Sequence, residues 1–310
     1  MEVVANLGKD RLLIVGGTGF IGTHIAKEAL VRGFKVSIIS MNNKPSPDRL
    51  DGIEYLSIDI SLQEDLFNKI KDKTFHHVIN LGGYINHGNY FEGGNKVIDV
   101  HFNGVKNLVN CINKNDLKSF IQIGSSDEYG KNSVPQNENQ RELPISSYSF
   151  AKTAVTHFLQ MLYRTEGFPV VILRPFLVYG PGQDKNRFIP QIVRGCLNNN
   201  NFPVSSGAQL RDFCYISDIV NAIFASVGNK NTYGEVVNIA SGRAASIKSV
   251  VIMVRDIIGS GYPEFGKVES RIGESMELYA DISKAKTLLY WTPRVNLKEG
   301  LMKTISSIKV

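Results

Sequence analysis

Cysteine is scarce in this chain: Cys111, Cys196 and Cys214 are the only three among 310 residues. So few, so far apart, they match neither a disulfide framework nor a zinc spacing, and they point to a reducing cytoplasm. Long apolar runs are missing too. No stretch approaches the roughly 18–20 apolar residues needed to cross a bilayer. Residues 12–15 are apolar but too few for a signal-peptide core, and they run straight into glycines, so they read as a first strand. The six histidines show no His-Glu-x-x-His spacing and no His/Cys cluster, which argues against a protein-bound metal. There is no Gly-x-Ser-x-Gly elbow, and no Walker lysine follows the glycines near the start. Basic runs interleaved with aromatics are absent. The formal charge of +6 therefore does not indicate nucleic acid; it suits pockets for small anions or simply a solvated basic surface.

What is present is the composition of an ordinary globular protein, with 43% apolar and 21% charged residues and length for one large or two modest domains. Candidate strands lie at 11–15, 35–40, 53–58, 77–81, 119–124 and 169–174, and several are almost continuously apolar, as parallel strands covered on both faces should be. Helical patterns lie between them. Val97, Ile98, Val105, Leu108, Val109 and Ile112 share one stripe, and Val155, Phe158, Leu159 and Leu162 another. This alternation predicts an α/β fold, a Rossmann-type doubly wound parallel sheet, with right-handed crossovers. After Pro175 the texture changes: Gly180-Pro181-Gly182 marks a loop, and the polar tract 198–201 is expected outside any regular element. The predicted division is a dinucleotide-binding domain over 1–174, joined by part of 212–242 (235–240 is the candidate strand), and a smaller α/β substrate lobe over 175–310.

Gly16-Gly17-Thr18-Gly19-Phe20-Ile21-Gly22 follows the first strand and opens a helix. Glycines at 16, 19 and 22 let the backbone turn sharply, approach a pyrophosphate and pack helix on strand, while the helix N-terminus offers N–H groups to the phosphates. A glycine-rich turn alone is a common structural feature; between a strand and a helix it predicts dinucleotide binding. The second strand ends in Ser40-Met41-Asn42-Asn43, without the carboxylate that usually binds the ribose of NAD. A carboxylate would repel a ribose 2′-phosphate, whereas Ser40, Asn42, Lys44 or Arg49 could satisfy one. The expectation is NADP(H), with NAD(H) and a Ser40–ribose bond as the alternative.

Tyr148 and Lys152 stand four residues apart, on one face of a predicted helix. An adjacent ammonium favours the phenolate of a group whose pKa is ordinarily near 10, although the same helix could merely bury the phenol and solvate the lysine. Ser125 and Ser126 follow the strand at 119–124, at the C-terminal sheet edge where open α/β folds bind ligands. A hydroxyl there can hydrogen-bond a reacting oxygen.

Taken together, these residues resemble the extended short-chain dehydrogenase/reductase family, in its nucleotide-sugar epimerase, dehydratase and reductase group, over nearly the whole chain. The resemblance implies a catalytic set of Ser125 (Ser126 as the alternative hydroxyl), Tyr148 and Lys152. It implies cofactor contacts from Gly16, Thr18, Gly19, Phe20, Ile21, Gly22, Ser40, Asn42, Asp59 and Ile60, from the small-residue stretch Leu81, Gly82 and Gly83, and from Pro175. Ser126, Asp127, Arg187, Phe188, Arg211 and Arg271 match stretches that hold the nucleotide sugar, where forked arginine donors suit a diphosphate. His101 stands where the family has asparagine and is expected to be a structural hydrogen-bonding residue. The family's dehydratases carry Asp-Glu right after the catalytic hydroxyl; here the aligned pair is Ser126-Asp127, with Glu128 one place late, so that a one-residue slip would restore it. The helices at 97–112 and 152–162 resemble a four-helix homodimer contact. The resulting expectation is an NADPH-dependent reductase of a nucleoside-diphosphate 4-keto-6-deoxyhexose, with Tyr148 as general acid. An NAD-dependent nucleotide-sugar 4-epimerase is the alternative, a 4,6-dehydratase a lesser one, and a dinucleotide-sensing binding protein the non-enzyme reading.

Overall fold

The computed structural model describes residues 10–41, 49–86, 88–269 and 275–308. In chain order the first half forms β1 (Arg11–Val15), α1 (Phe20–Val31), β2 (Lys35–Ser40), β3 (Glu54–Ser57), α2 (Gln63–Ile70), β4 (His77–Asn80), α3 (Gly94–Ile98), α4 (Gly104–Cys111), β5 (Ser119–Ile123), α5 (Ser147–Glu166) and β6 (Val170–Pro175). The second half adds β7 (Leu177–Tyr179), α6 (Phe188–Leu197), β8 (Asn201–Val204), β9 (Leu210–Tyr215), β10 (Val236–Ile239), β11 (Ala244–Ser246), β12 (Tyr262–Phe265) and β13 (Glu277–Leu278).

The apolar runs become a seven-stranded sheet in the order β10-β6-β5-β4-β1-β2-β3, parallel at each junction from β6 to β3. Leu12, Leu13, Ile14, Val78, Ile79, Phe120, Ile121 and Ile172 are wholly shielded from water. Burial of this kind contributes about 1.5–3 kcal/mol per large side chain. The strand order reverses between β1 and β4, and at such a switch point the crevice beyond the carboxyl ends of the strands is where ligands bind. The predicted strand at 235–240 joins the sheet beside β6.

Contacts divide the chain into two compact units, one of residues 1–128, 142–174 and 223–237, the other of 129–141, 175–222 and 238–310. In the second unit β9 pairs with β7, β11 and β13, and β8 pairs with β12.

Two local expectations change. The tract at 198–201 is not wholly irregular, because Asn201 opens β8. Ahead of it Asn199 takes φ 51°, and its side-chain oxygen accepts the Gly261 N–H at 3.1 Å; asparagine tolerates this left-handed turn better than most residues. The apolar stripe from Val97 to Ile112 is also not one regular helix. A π turn at Asp99–Asn103 separates α3 from α4, and its extra residue rotates the side chains between them.

Candidate active site

Gly16 takes φ 78°, donates its N–H to the Ile39 carbonyl at 2.8 Å and accepts the Gly19 N–H at 3.1 Å. A Cβ on Gly22 would overlap the Gly16 carbonyl, and one on Gly17 would press into Ile38. The turn is therefore closed to side chains where α1 packs on the sheet. Phe20 and Ile21 begin α1, whose first turn carries no acidic residue, so its positive end suits an anion. These features fit a dinucleotide pyrophosphate. Thr18 Oγ1 lies 2.8 Å from Ser40 Oγ, tying the turn to the end of β2. Beside it, Gly17, Thr18, Ile38, Arg49 and Tyr55 line a small hollow, with the Arg49 guanidinium 4.7 Å from the centre of the Tyr55 ring. Asn42, Lys44 and Arg271 lie outside the described residues.

The end of β4 completes this side. Asn80 donates to Gln122 Oε1 at 2.8 Å and accepts the Gly82 N–H at 3.0 Å. A Cβ on Gly16 would sit 3.1 Å from the Leu81 carbonyl, so the glycine turn and the Leu81–Gly82 segment are in direct apposition. Asp59 accepts from the Ser61 N–H and hydroxyl at 2.9 and 2.7 Å. The Ile60 carbonyl accepts from Asn107 at 3.0 Å, while the Ile60 side chain closes on Gly82 and Gly104.

From Gly83 a line of contacts leads to the tyrosine. A Cβ there would overlap the His101 ring. His101 Nε2 is 2.9 Å from the Tyr84 carbonyl, which can only accept, so Nε2 carries the proton. The imidazole centre lies 5.3 Å from that of Tyr148, with the planes at 81°. Tyr148 belongs to the first turn of α5, which a reciprocal cap fixes: Ser146 Oγ accepts the Ser149 N–H at 3.1 Å and Ser149 Oγ accepts the Ser146 N–H at 2.9 Å. One turn on, Lys152 places Nζ 5.9 Å from the Tyr148 ring centre and donates to the Ile123 carbonyl at 2.8 Å. Burial lowers the Lys152 pKa to about 8, with Glu128 acting in the opposite direction. Ser125, two residues beyond Ile123, donates its N–H to Glu128 Oε1 at 2.8 Å, and its Oγ accepts the Asp127 N–H at 3.2 Å. The glycine turn, Leu81–Gly83, Tyr148, Lys152 and Ser125 thus fall in one contiguous region of the first unit. Ser126 is buried beside them.

Glu128 is fully buried. Its Oε2 accepts from Arg174 and Thr156, both at 2.7 Å, and Arg174 also donates to Glu142 at 2.7 Å. Of the residues expected at the nucleotide sugar, Arg187 precedes α6, and Phe188, its first residue, packs 6.1 Å from the Phe213 ring. Arg211 is nearly buried in β9 and donates to the carbonyls of Leu210 and Met276 at 2.9 and 3.3 Å. Pro175 ends β6 and belongs by contacts to the second unit. Among the described residues no group of three metal-binding side chains gathers, and no helix is long and apolar enough to cross a membrane.

Compared with known proteins, residues 12–240 match the model of the NAD dependent epimerase/dehydratase family. The chain belongs to that family. A UDP-N-acetyl-alpha-D-glucosaminuronate decarboxylase of Bacillus cytotoxicus is 30% identical over 96% of this chain and 97% of its own length. An uncharacterized UDP-glucose epimerase of Bacillus subtilis is 29% identical over 96% and 97%. Among solved structures, a UDP-glucuronic acid 4-epimerase from Bacillus cereus, in complex with UDP-glucuronic acid and NAD, superposes with TM-score 0.84 at 28% identity, covering 96% of this chain and 98% of that one.

Glu128, the acid that the dehydratase alternative would pair with Asp127, has both carboxylate oxygens held inside the fold by Arg174, Thr156 and the Ser125 N–H. Sequence reasoning missed this anchor. Its signal was Arg174 at the end of the apolar run 170–173, since a charge on such a strand is buried only with a partner.

Proposed function

We propose that the chain is an NAD-dependent 4-epimerase of a nucleoside-diphosphate sugar, with the uridine nucleotide as the carrier. The observation that carries this reading is the line of contacts from the glycine turn through Leu81–Gly83 and His101 to Tyr148 and Lys152, with Glu128, the second carboxylate of the Ser125 loop, sequestered from chemistry. The 4-epimerases among its relatives, of UDP-glucose and UDP-glucuronate by name, support the same choice.

Gly16, Thr18, Gly19, Phe20, Ile21, Gly22, Asp59, Ile60 and Leu81–Gly83 would hold the dinucleotide, which when bound supplies a hydride acceptor and donor at the sugar C4. Tyr148 takes the proton of the C4 hydroxyl as the ketone forms and returns it after the ring turns its other face. Lys152 favours the phenolate through its charge, and Ser125 donates a hydrogen bond to the C4 oxygen. Arg187, Phe188 and Arg211 are proposed to hold the nucleotide and its diphosphate. The test is incubation of the purified protein with UDP-glucose, UDP-glucuronate and their N-acetyl counterparts. C4 epimers should accumulate without net consumption of added cofactor, and Tyr148→Phe should reduce this at least ~1,000-fold.

A second reading has one observation in its favour. The end of β2 is neutral, with Ser40 on Thr18 and the Arg49 guanidinium across the same hollow, an arrangement suited to a 2′-phosphate. It would make the protein an NADPH-dependent reductase of a 4-keto-6-deoxy sugar. The dinucleotide released on denaturation decides between them: NAD favours the epimerase, whereas NADP with stoichiometric NADPH oxidation replaces it. We also propose a homodimer through the outer face of α5, where Phe150, His157 and Met161 are exposed at helical spacing. Light scattering at micromolar concentration should give twice the chain mass, and Phe150→Glu should halve it.

A further inference from the structure

His101 is a buried group packed against Tyr148 that the proposed chemistry does not use, and three features of its setting are built around it. The helix containing it opens into a π turn at Asp99–Asn103, with His101 at the middle. Such turns cost regular hydrogen bonding and recur where a side chain must be re-aimed. Gly83, at φ 121°, leaves the space that the imidazole fills; a Cβ would overlap the ring. The ring is then fixed in orientation by its Nε2–H bond to the Tyr84 carbonyl at 2.9 Å.

The other side of this fixed ring meets Tyr148 edge-to-face at 5.3 Å and 81°, an arrangement that aromatic rings prefer. We infer that His101 is a positioning residue for the general acid–base: a neutral imidazole, locked to the loop after β4, that sets the angle of the Tyr148 phenol and keeps water out from between Tyr148 and Lys152. Neutrality follows from its surroundings. Burial first, and the Lys152 charge second, bring its pKa down to about 3. Lys152 is the charged group facing it, so the ring adds no second positive charge beside the phenol. The link also joins the Leu81–Gly83 segment, proposed to hold the dinucleotide, to the phenol that must meet the substrate.

This inference rests on Tyr148 being the acid–base group, and the experiment separates the two. Turnover and its pH profile are measured for His101→Ala, His101→Phe and Tyr148→Phe, with cofactor occupancy and melting temperature in parallel. His101→Ala should lower kcat at least ~10-fold with KM changed less than about threefold. Its acid limb should move to higher pH, because water admitted beside the phenol screens Lys152. His101→Phe keeps a ring against the phenol and should recover most of kcat and return the acid limb toward its original pH. Two results overturn the inference: a wild-type kcat and pH profile in His101→Ala, or a loss that tracks cofactor occupancy and melting temperature and that the phenylalanine does not rescue. If Tyr148→Phe itself turns over normally, the functional reading fails. If Tyr148→Phe is inactive while His101→Ala matches wild type, only the positioning role fails.

Discussion

At Glu128 a fully buried carboxylate is held by the Ser125 N–H, the Thr156 hydroxyl and the Arg174 guanidinium. Removing one partner of such a pair leaves an uncompensated charge in a medium that solvates it poorly. Glu128→Gln keeps the shape and loses the charge, and with Glu142 still on Arg174 the expected cost is about 3 kcal/mol. Urea unfolding should show it as a lowered midpoint at unchanged slope, together with slower turnover because the Ser125 loop loses its tether. An unchanged midpoint would show that Glu142 alone balances Arg174. The spacing of Tyr148 and Lys152 was readable in sequence because four residues is one helical turn. The Glu128–Arg174 pair was not, since its members are 46 residues apart and only the pairing of β5 with β6 brings their ends together.

Among the elements, the turn between β1 and α1 leaves no room for a side chain at Gly22. Gly22 is in the first full turn of α1, and a methyl there would meet the Gly16 carbonyl and the Gly17 backbone, neither of which can rotate away. Gly22→Ala should therefore lift α1 off the sheet, costing about 1–3 kcal/mol, and weaken retention of the dinucleotide. Melting temperature and nucleotide absorbance of the purified protein report the two effects; normal values for both would mean that the turn is looser than its geometry indicates. Strand positions came close from sequence because buried parallel strands are continuous apolar runs. The π turn did not. Val97 and Val109 both fall on buried faces of their helices, and a stripe that looks continuous in sequence hides the extra residue between them.

Across the whole molecule, two buried histidines make stability depend on acid. Burial lowers the folded pKa of His77 and brings that of His101 to about 3, against an ordinary value of 6.5. Below 6.5 the unfolded chain binds protons that the folded chain refuses, so stability present above that pH is lost as pH falls toward the folded values. Each histidine removes up to ~1.4 kcal/mol per pH unit. Between about pH 6.5 and about pH 5 most carboxylates remain ionised, so this window isolates the histidines. Urea midpoints should fall through it, and less steeply in His101→Phe; identical slopes would show that His101 does not contribute. His77 sits between Ser119 at 2.8 Å and Asp10 at 3.1 Å, at the opposite end of β4 and β5 from Asn80 and Ile123, and Asp10 in turn accepts from Lys118 at 2.8 Å.

The sequence by itself determined the sheet, the glycine turn and the Tyr148–Lys152 pair, because each depends on neighbours within a few residues and on local periodicity or backbone freedom. Tertiary structure decided the rest. It placed Glu128 in an ion pair with Arg174, set His101 against Tyr148, and chose the β6 edge for the 236–239 strand. Those outcomes turn on which distant segments exclude water together, and burial of that kind is a property of the assembled chain.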